Sequence, residues 1–198
     1  EKYLYDQVTN YLTQRKEEAT EEKNIHVTLA LAVMQRRLVS SIFAIKNTLF
    51  KRWNALQGIV DEVNKNPNIW KQRQKLELVD VDNMDQYDDL EDDEKDALDN
   101  ILSDPKKFKL FTTSKSLIEI ANEAQEVKRL YDIANQLYNQ NQEEKKYIQL
   151  KELLKSQGVI YGQKLVIFTE HKDTLLYLQE RLTNNGYKVA VIHGGLSV

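Results

Sequence analysis

The sequence predicts a mainly α-helical chain, in which long antiparallel helices are followed by a truncated C-terminal parallel βαβ unit. Three observations carry this reading. Two long stretches repeat apolar residues at steps of three and four, only two prolines interrupt the 198 residues, and the period changes to continuous apolar runs after Gly158. The expected division is a helical region over residues 1–157, with an acidic linker at about 80–94, and an incomplete α/β part over residues 158–198.

The opening "EKYLYDQVTNYL" sets Leu4, Val8, Tyr11 and Leu12 on one helical face and predicts a short amphipathic helix. The polar run "TQRKEEATEEKN" then separates it from the longest pattern. From about Ile25 to Asn64, Leu31, Met34, Leu38, Ile42, Ile45, Leu49, Trp53, Leu56 and Val60 predict one helix. At 1.5 Å per residue it would reach about 50–60 Å. Gly58 offers a kink near its far end, and Asn66-Pro67 is its stop, because a residue before proline is pushed out of the helical region.

Asp80 to Glu94 is a solvated acidic loop that enters a short helix around Lys95 to Leu102. Ser114 to Asn139 repeats Leu117, Ile120, Ala124, Val127, Tyr131, Ala134 and Tyr138, an antiparallel partner for the first long helix. "EEKKYIQLKELLKSQG" predicts a last helix on Ile148, Leu150, Leu153 and Leu154. "KLVIFT" and "YKVAVIH" then read as buried parallel strands around a crossover helix that carries Leu175, Leu178 and Leu182 and ends at Gly186. Two parallel strands cannot cover their own faces, so the chain reads as a piece of a larger protein.

Composition narrows the chemistry. With no cysteine, disulfides, thiolate ligands and cysteine nucleophiles are excluded, and three histidines far apart in sequence argue against a zinc site. No apolar run is long enough to cross a membrane and no signal peptide is evident, so a cytoplasmic setting is expected. The net charge of −3 conceals an acidic stretch from Asp80 to Asp104 holding −11; removing it leaves about +8 elsewhere. Such a body is compatible with nucleic-acid contact. The acidic stretch lacks the alternating ligands and fixed glycine of a calcium loop, and a solvated connector is the expectation.

The stretch "KLVIFTEHKDTLLYLQERLTNNGYKVAVIHGG" resembles the opening of the second RecA-like lobe of superfamily 2 helicases, with "LVIFTEHKDTL" similar to their motif IV. "EKYLYDQVTNYL" and "MQRRLVSSIFAIKNTLFKRW" are similar to the segment between the two lobes of bacterial Swi/Snf-type ATPases of the RapA (HepA) kind, where a helical insertion protrudes. The resemblance implies part of an ATP-dependent helicase or translocase, with double-stranded DNA and the remaining lobes as partners. The parent would use ATP and Mg2+. This chain has no G-x-x-x-x-G-K-[ST] loop and no late arginine motif, so no catalytic residue, cofactor site or metal site is assigned within it. The alternative is a non-enzymatic helical interaction module fused to a small α/β domain. Self-association through the truncated sheet is also expected.

Candidate contacts follow from position. Thr169, His171 and Lys172 stand between a predicted strand and a helix, where amides, a hydroxyl and an ammonium can hold a phosphate, against a bland reading as a helix cap. His193 to Gly195 ends the second strand, and Gly194 and Gly195 allow either a close approach to nucleic acid or an ordinary turn. Arg36 and Arg37, with Lys46, Lys51, Arg52, Lys71, Arg73 and Lys75, make basic patches that are either phosphate contacts or a solvated face. Trp53 and Trp70 read as core in preference to stacking platforms.

Overall fold

The computed structural model describes residues 1–21, 24–68, 112–140, 143–157 and 163–193. Helix accounts for 77% of the described residues, and no strand occurs among them. Among the described residues six helices follow in order: α1 (Lys2–Glu21), α2 (Ile25–Ser40), α3 (Ile42–Lys65), α4 (Leu117–Asn139), α5 (Lys145–Ser156) and α6 (Lys172–Asn184). None is long and apolar enough to cross a membrane.

The single long helix expected from Ile25 to Asn64 is two. Gly58 lies within the unbroken α3, and the chain breaks at Ser41 instead. Ser41 is extended (φ −157°, ψ 157°) and serves both neighbours: its N–H donates to Arg37 O at 3.3 Å, while its hydroxyl accepts from Ala44 N at 3.0 Å. A serine offers a helix start this alternative partner, and here the local bond prevails over an uninterrupted apolar repeat. The stop at Asn66-Pro67 is as expected, with Asn66 the C-cap of α3. The expected short first helix runs on through the polar stretch to Glu21, because Arg15 bonds Glu18 at 2.9 Å and reaches Glu126 of α4 at 3.5 Å, while Thr113 donates to Glu18 at 2.6 Å.

Helices α3 and α4 run antiparallel. Phe43 meets Tyr138 near the start of α3 and Trp53 stacks on Tyr131 ten residues on, so the partner number falls as the chain advances. Leu4, Val8, Ile45, Leu49, Leu56, Val127 and Leu130 form the core of α1, α3 and α4 with the stripe of α2. Burying one such side chain contributes about 1.5–3 kcal/mol.

A charged group sits inside this core. Glu123 is fully buried and accepts from Arg52 Nη2 at 2.6 Å and Tyr11 Oη at 2.9 Å on one oxygen, and from Thr112 at 2.8 Å and Ser114 at 2.9 Å on the other. Arg52 Nε in turn donates to Tyr11 Oη at 2.7 Å. Burial alone would raise the Glu123 pKa, but Arg52, Arg15 and the two hydroxyls hold it below the usual carboxylate range. Arg52, expected on a basic surface patch, is therefore a core cation.

The C-terminal βαβ unit is not formed. Residues 163–169 and 187–193 flank α6 without regular secondary structure, and Val166, Phe168 and Ile192 are 73%, 92% and 90% exposed. The physical reason is the one that makes small sheets weak: a lone strand pair has too little apolar cover to repay its ordering, and parallel pairing is the weaker kind. The crossover helix is real. It ends in a Schellman motif, with Gly186 at φ 84°, its N–H on Thr183 O at 2.9 Å and Tyr187 N on Leu182 O at 3.1 Å. Its buried face is Thr174, Tyr177 and Leu182, packed with Tyr147 and Leu154 of α5. On α5 itself the expected face turns as well, since Ile148 and Leu153 are exposed.

This arrangement makes a distinct expectation for Phe168→Ser. An exposed position should change stability by no more than about 0.5 kcal/mol, against about 3–5 kcal/mol for a phenylalanine buried in a sheet. Urea unfolding followed by circular dichroism separates the two outcomes.

Candidate functional site

Residues 134 or so positions apart meet at the Ser41 break. The amino end of α6 faces it, with His171 as N-cap, Asp173 in the first turn, and Lys172 exposed. Arg36 Nη1 lies 3.1 Å from Glu170 Oε1, and Arg37 Nη1 2.6 Å from Asp173 Oδ2. Asn47 of α3 donates to the other Asp173 oxygen at 3.2 Å. Thr174 Oγ1 lies 2.6 Å from Ser40 Oγ and 3.0 Å from Ser41 Oγ. Two sets of sequence-predicted residues, Arg36 and Arg37 on one side and Thr169, His171 and Lys172 on the other, are thus brought to one junction.

Their roles differ from those expected. Arg37 is 5% exposed and committed to Asp173, whereas the Arg36 pair remains open to water. His171, expected as a loop residue, is buried at 4% exposure with Nε2 3.9 Å from Glu170 Oε2. Its side chain makes no cap bond, and its carbonyl accepts from Leu175 N at 3.0 Å. Thr169 is half-buried. Gly194, Gly195, Trp70, Lys71, Arg73, Lys75, Gly158 and the acidic stretch lie outside the described residues.

Glu144 forms the floor of the junction. It precedes α5, is buried, and accepts from Ile42 N at 2.9 Å, the first amide of α3. Loss of water pushes its pKa up to about 7 against the opposing pull of the Ile42 and Phe43 amides, with Glu1 adding to the rise. Lys146 donates to Val39 O at the end of α2. Tyr177 of α6 is buried, its hydroxyl has no hydrogen-bond partner among the described residues, and burial followed by the Glu144 charge raises its pKa. Lys46 lies 4.2 Å from the Tyr138 ring centre and 4.9 Å from that of Phe43; burial lowers its pKa, opposed by Asp173 and Glu180.

Glu144, Glu170 and Asp173 were missed as parts of a site. An acidic residue in a first helical turn, here Asp173, is a recognisable helix-start feature, and the Ser40-Ser41 pair is a cap signal inside an apolar repeat. Glu144 had no such signal, because its environment is made by helices distant in sequence. Trp53 is largely core, as expected: it stacks on Tyr131 at 6.0 Å with Lys128 5.0 Å from its centre.

No group of three or more histidine, aspartate or glutamate side chains among the described residues could hold a metal ion. No family model matches the chain, and comparison with curated proteins and with solved structures finds no significant relative. The Swi/Snf-type resemblance therefore rests on the quoted sequence stretches.

Proposed function

We propose that this chain is the helical connecting part of an ATP-dependent nucleic-acid translocase of the Swi/Snf type, without ATPase activity of its own, which carries movement of the motor to double-stranded DNA. The observation that supports this reading is the convergence of Arg36 and Arg37 with the 169–172 segment at the Ser41 break. In that neighbourhood Arg36, Arg37, Lys46, Lys146 and Lys172 stand with Glu144, Glu170, Asp173 and Glu180, so cations exceed carboxylates by one. Phosphate recognition needs this kind of surplus at a helix start. The two antiparallel helices α3 and α4 give the junction a stiff mount, since each buries its stripe on the other.

A second reading, a non-enzymatic helical scaffold for protein partners, draws support from the inward ion pairs of Arg37 and Arg52, which remove two cations from the surface. Fluorescence anisotropy with a labelled 20-base-pair duplex separates the two readings. Weak, sequence-independent binding is expected at low salt, with log affinity falling against log salt at a slope of about −2 to −3 for two or three phosphate contacts. Arg36→Glu should weaken it at least about fivefold. Absence of duplex binding at low salt would leave the scaffold reading.

A further inference from the structure

We infer that Asn185 is a self-modification site: the backbone nitrogen of Gly186 attacks the Asn185 side chain, and the cyclic imide that results is opened by water to aspartate or isoaspartate. The inference does not draw on the function proposed above.

Three observations carry it. First, of the six glycines in the chain Gly186 alone follows an asparagine. A glycine nitrogen is the least shielded nucleophile a backbone offers, and a Cβ at Gly186 would meet nothing within 4 Å, so the approach is open. Both residues are exposed to the water that the reaction consumes. Second, the helix end itself calls for the pair. Gly186 lies at φ 84°, where any other residue would be strained, so a bulkier and slower neighbour for Asn185 is disfavoured. Third, the reacting groups are the ones this helix end holds. Asn185 Nδ2 donates to Arg181 O at 2.8 Å and to Tyr147 Oη at 3.1 Å, while Gly186 N donates to Thr183 O at 2.9 Å. The closed turn therefore restrains the reaction, and fraying of this one terminal turn sets its rate.

In the first step Gly186 N bonds to Asn185 Cγ, the Cγ–Nδ2 bond breaks, and ammonia leaves with the proton of the glycine amide. Water then adds at either imide carbonyl; one route gives aspartate, the other isoaspartate with an additional methylene in the backbone. Both products place a carboxylate beside Arg181 O, at the negative end of the α6 dipole. Both also remove the donor to Tyr147 Oη that ties α6 to α5. Isoaspartate further displaces the Gly186 and Tyr187 bonds that bring Tyr187 and Val189 against the cluster of Tyr147 and Tyr177. The modification thus loosens the end of α6 without returning.

The native chain is incubated at mildly alkaline pH, and every asparagine is followed by peptide mass spectrometry with isoaspartyl peptides separated by chromatography. Asn185 should convert at least about tenfold faster than the exposed Asn10, Asn54 and Asn184, each of which precedes a residue with a side chain. In urea its rate should rise at least about tenfold, since no turn has to open first. Y147F keeps the buried ring and removes one tie on the amide; it should raise the native rate about fivefold and leave the rate in urea unchanged. Conversion of Asn185 in the native chain no faster than that of Asn10, Asn54 and Asn184 would overturn the site. Equal rates in the native chain, in Y147F and in urea would overturn its control by the helix end.

Discussion

Glu123→Ala should destabilise the chain by about 3–5 kcal/mol, the largest effect expected of any single substitution here. The carboxylate is buried at the centre of α1, α3 and α4 and is the common acceptor for Arg52, Tyr11, Thr112 and Ser114. Its removal takes a counter-charge from the buried Arg52 guanidinium and the acceptor from three hydroxyls, besides leaving a cavity. Arg52→Met alone should be comparably damaging, since it strands the anion. Joint replacement, R52M/E123L, should recover most of the loss, because an apolar pair of similar volume carries no desolvation cost. Urea unfolding of the three variants checks this, and a loss below about 1 kcal/mol for Glu123→Ala would mean that the network is not formed in solution.

The second large effect is a pH dependence with an unusual direction. In the folded chain Glu144 titrates at about 7 against its ordinary 4.5, so between those values the native state holds a proton that the unfolded state has released. Its contribution is therefore fully present below about pH 4.5, declines as pH rises, and is gone above about pH 7. A shift of this size corresponds to about 2 kcal/mol after allowance for partial solvation. Glu123 and Glu18, whose pKa values are lowered, act oppositely: their stabilisation is present above about 4.5 and is lost as pH falls below it. Glu144→Gln should flatten the profile between pH 5 and 8 while keeping an acceptor for Ile42 N. Thermal unfolding across that range, native against variant, isolates the term. Parallel profiles would exclude a raised Glu144 pKa.

Much of the helical body is legible in the residues themselves. The steps of three and four along α3 and α4, the Asn66-Pro67 stop and Gly186 are local signals, and the structure uses each of them. What escaped detection depends on residues that meet only after folding. Arg52 reads as a surface cation until Glu123, 71 positions away, is brought beside it. The polar half of α1 gives no apolar repeat and is held by contacts from Glu126 and Thr113. The break at Ser41 is a contest between a hydroxyl and a repeat, and Glu144 helps to decide it from outside. The strands failed for the opposite reason, because "KLVIFT" has strand composition and nothing beside it to pair with among the described residues.

The placement of Thr112 and Ser114 on Glu123 has a bearing on how such a chain can change over evolutionary time. One carboxylate serves donors from four positions, Tyr11, Arg52, Thr112 and Ser114. A change at any of them alters what the others have to satisfy, so their energies do not add. These positions are expected to be replaced together or not at all, whereas exposed positions such as Val166 and Phe168 can drift singly.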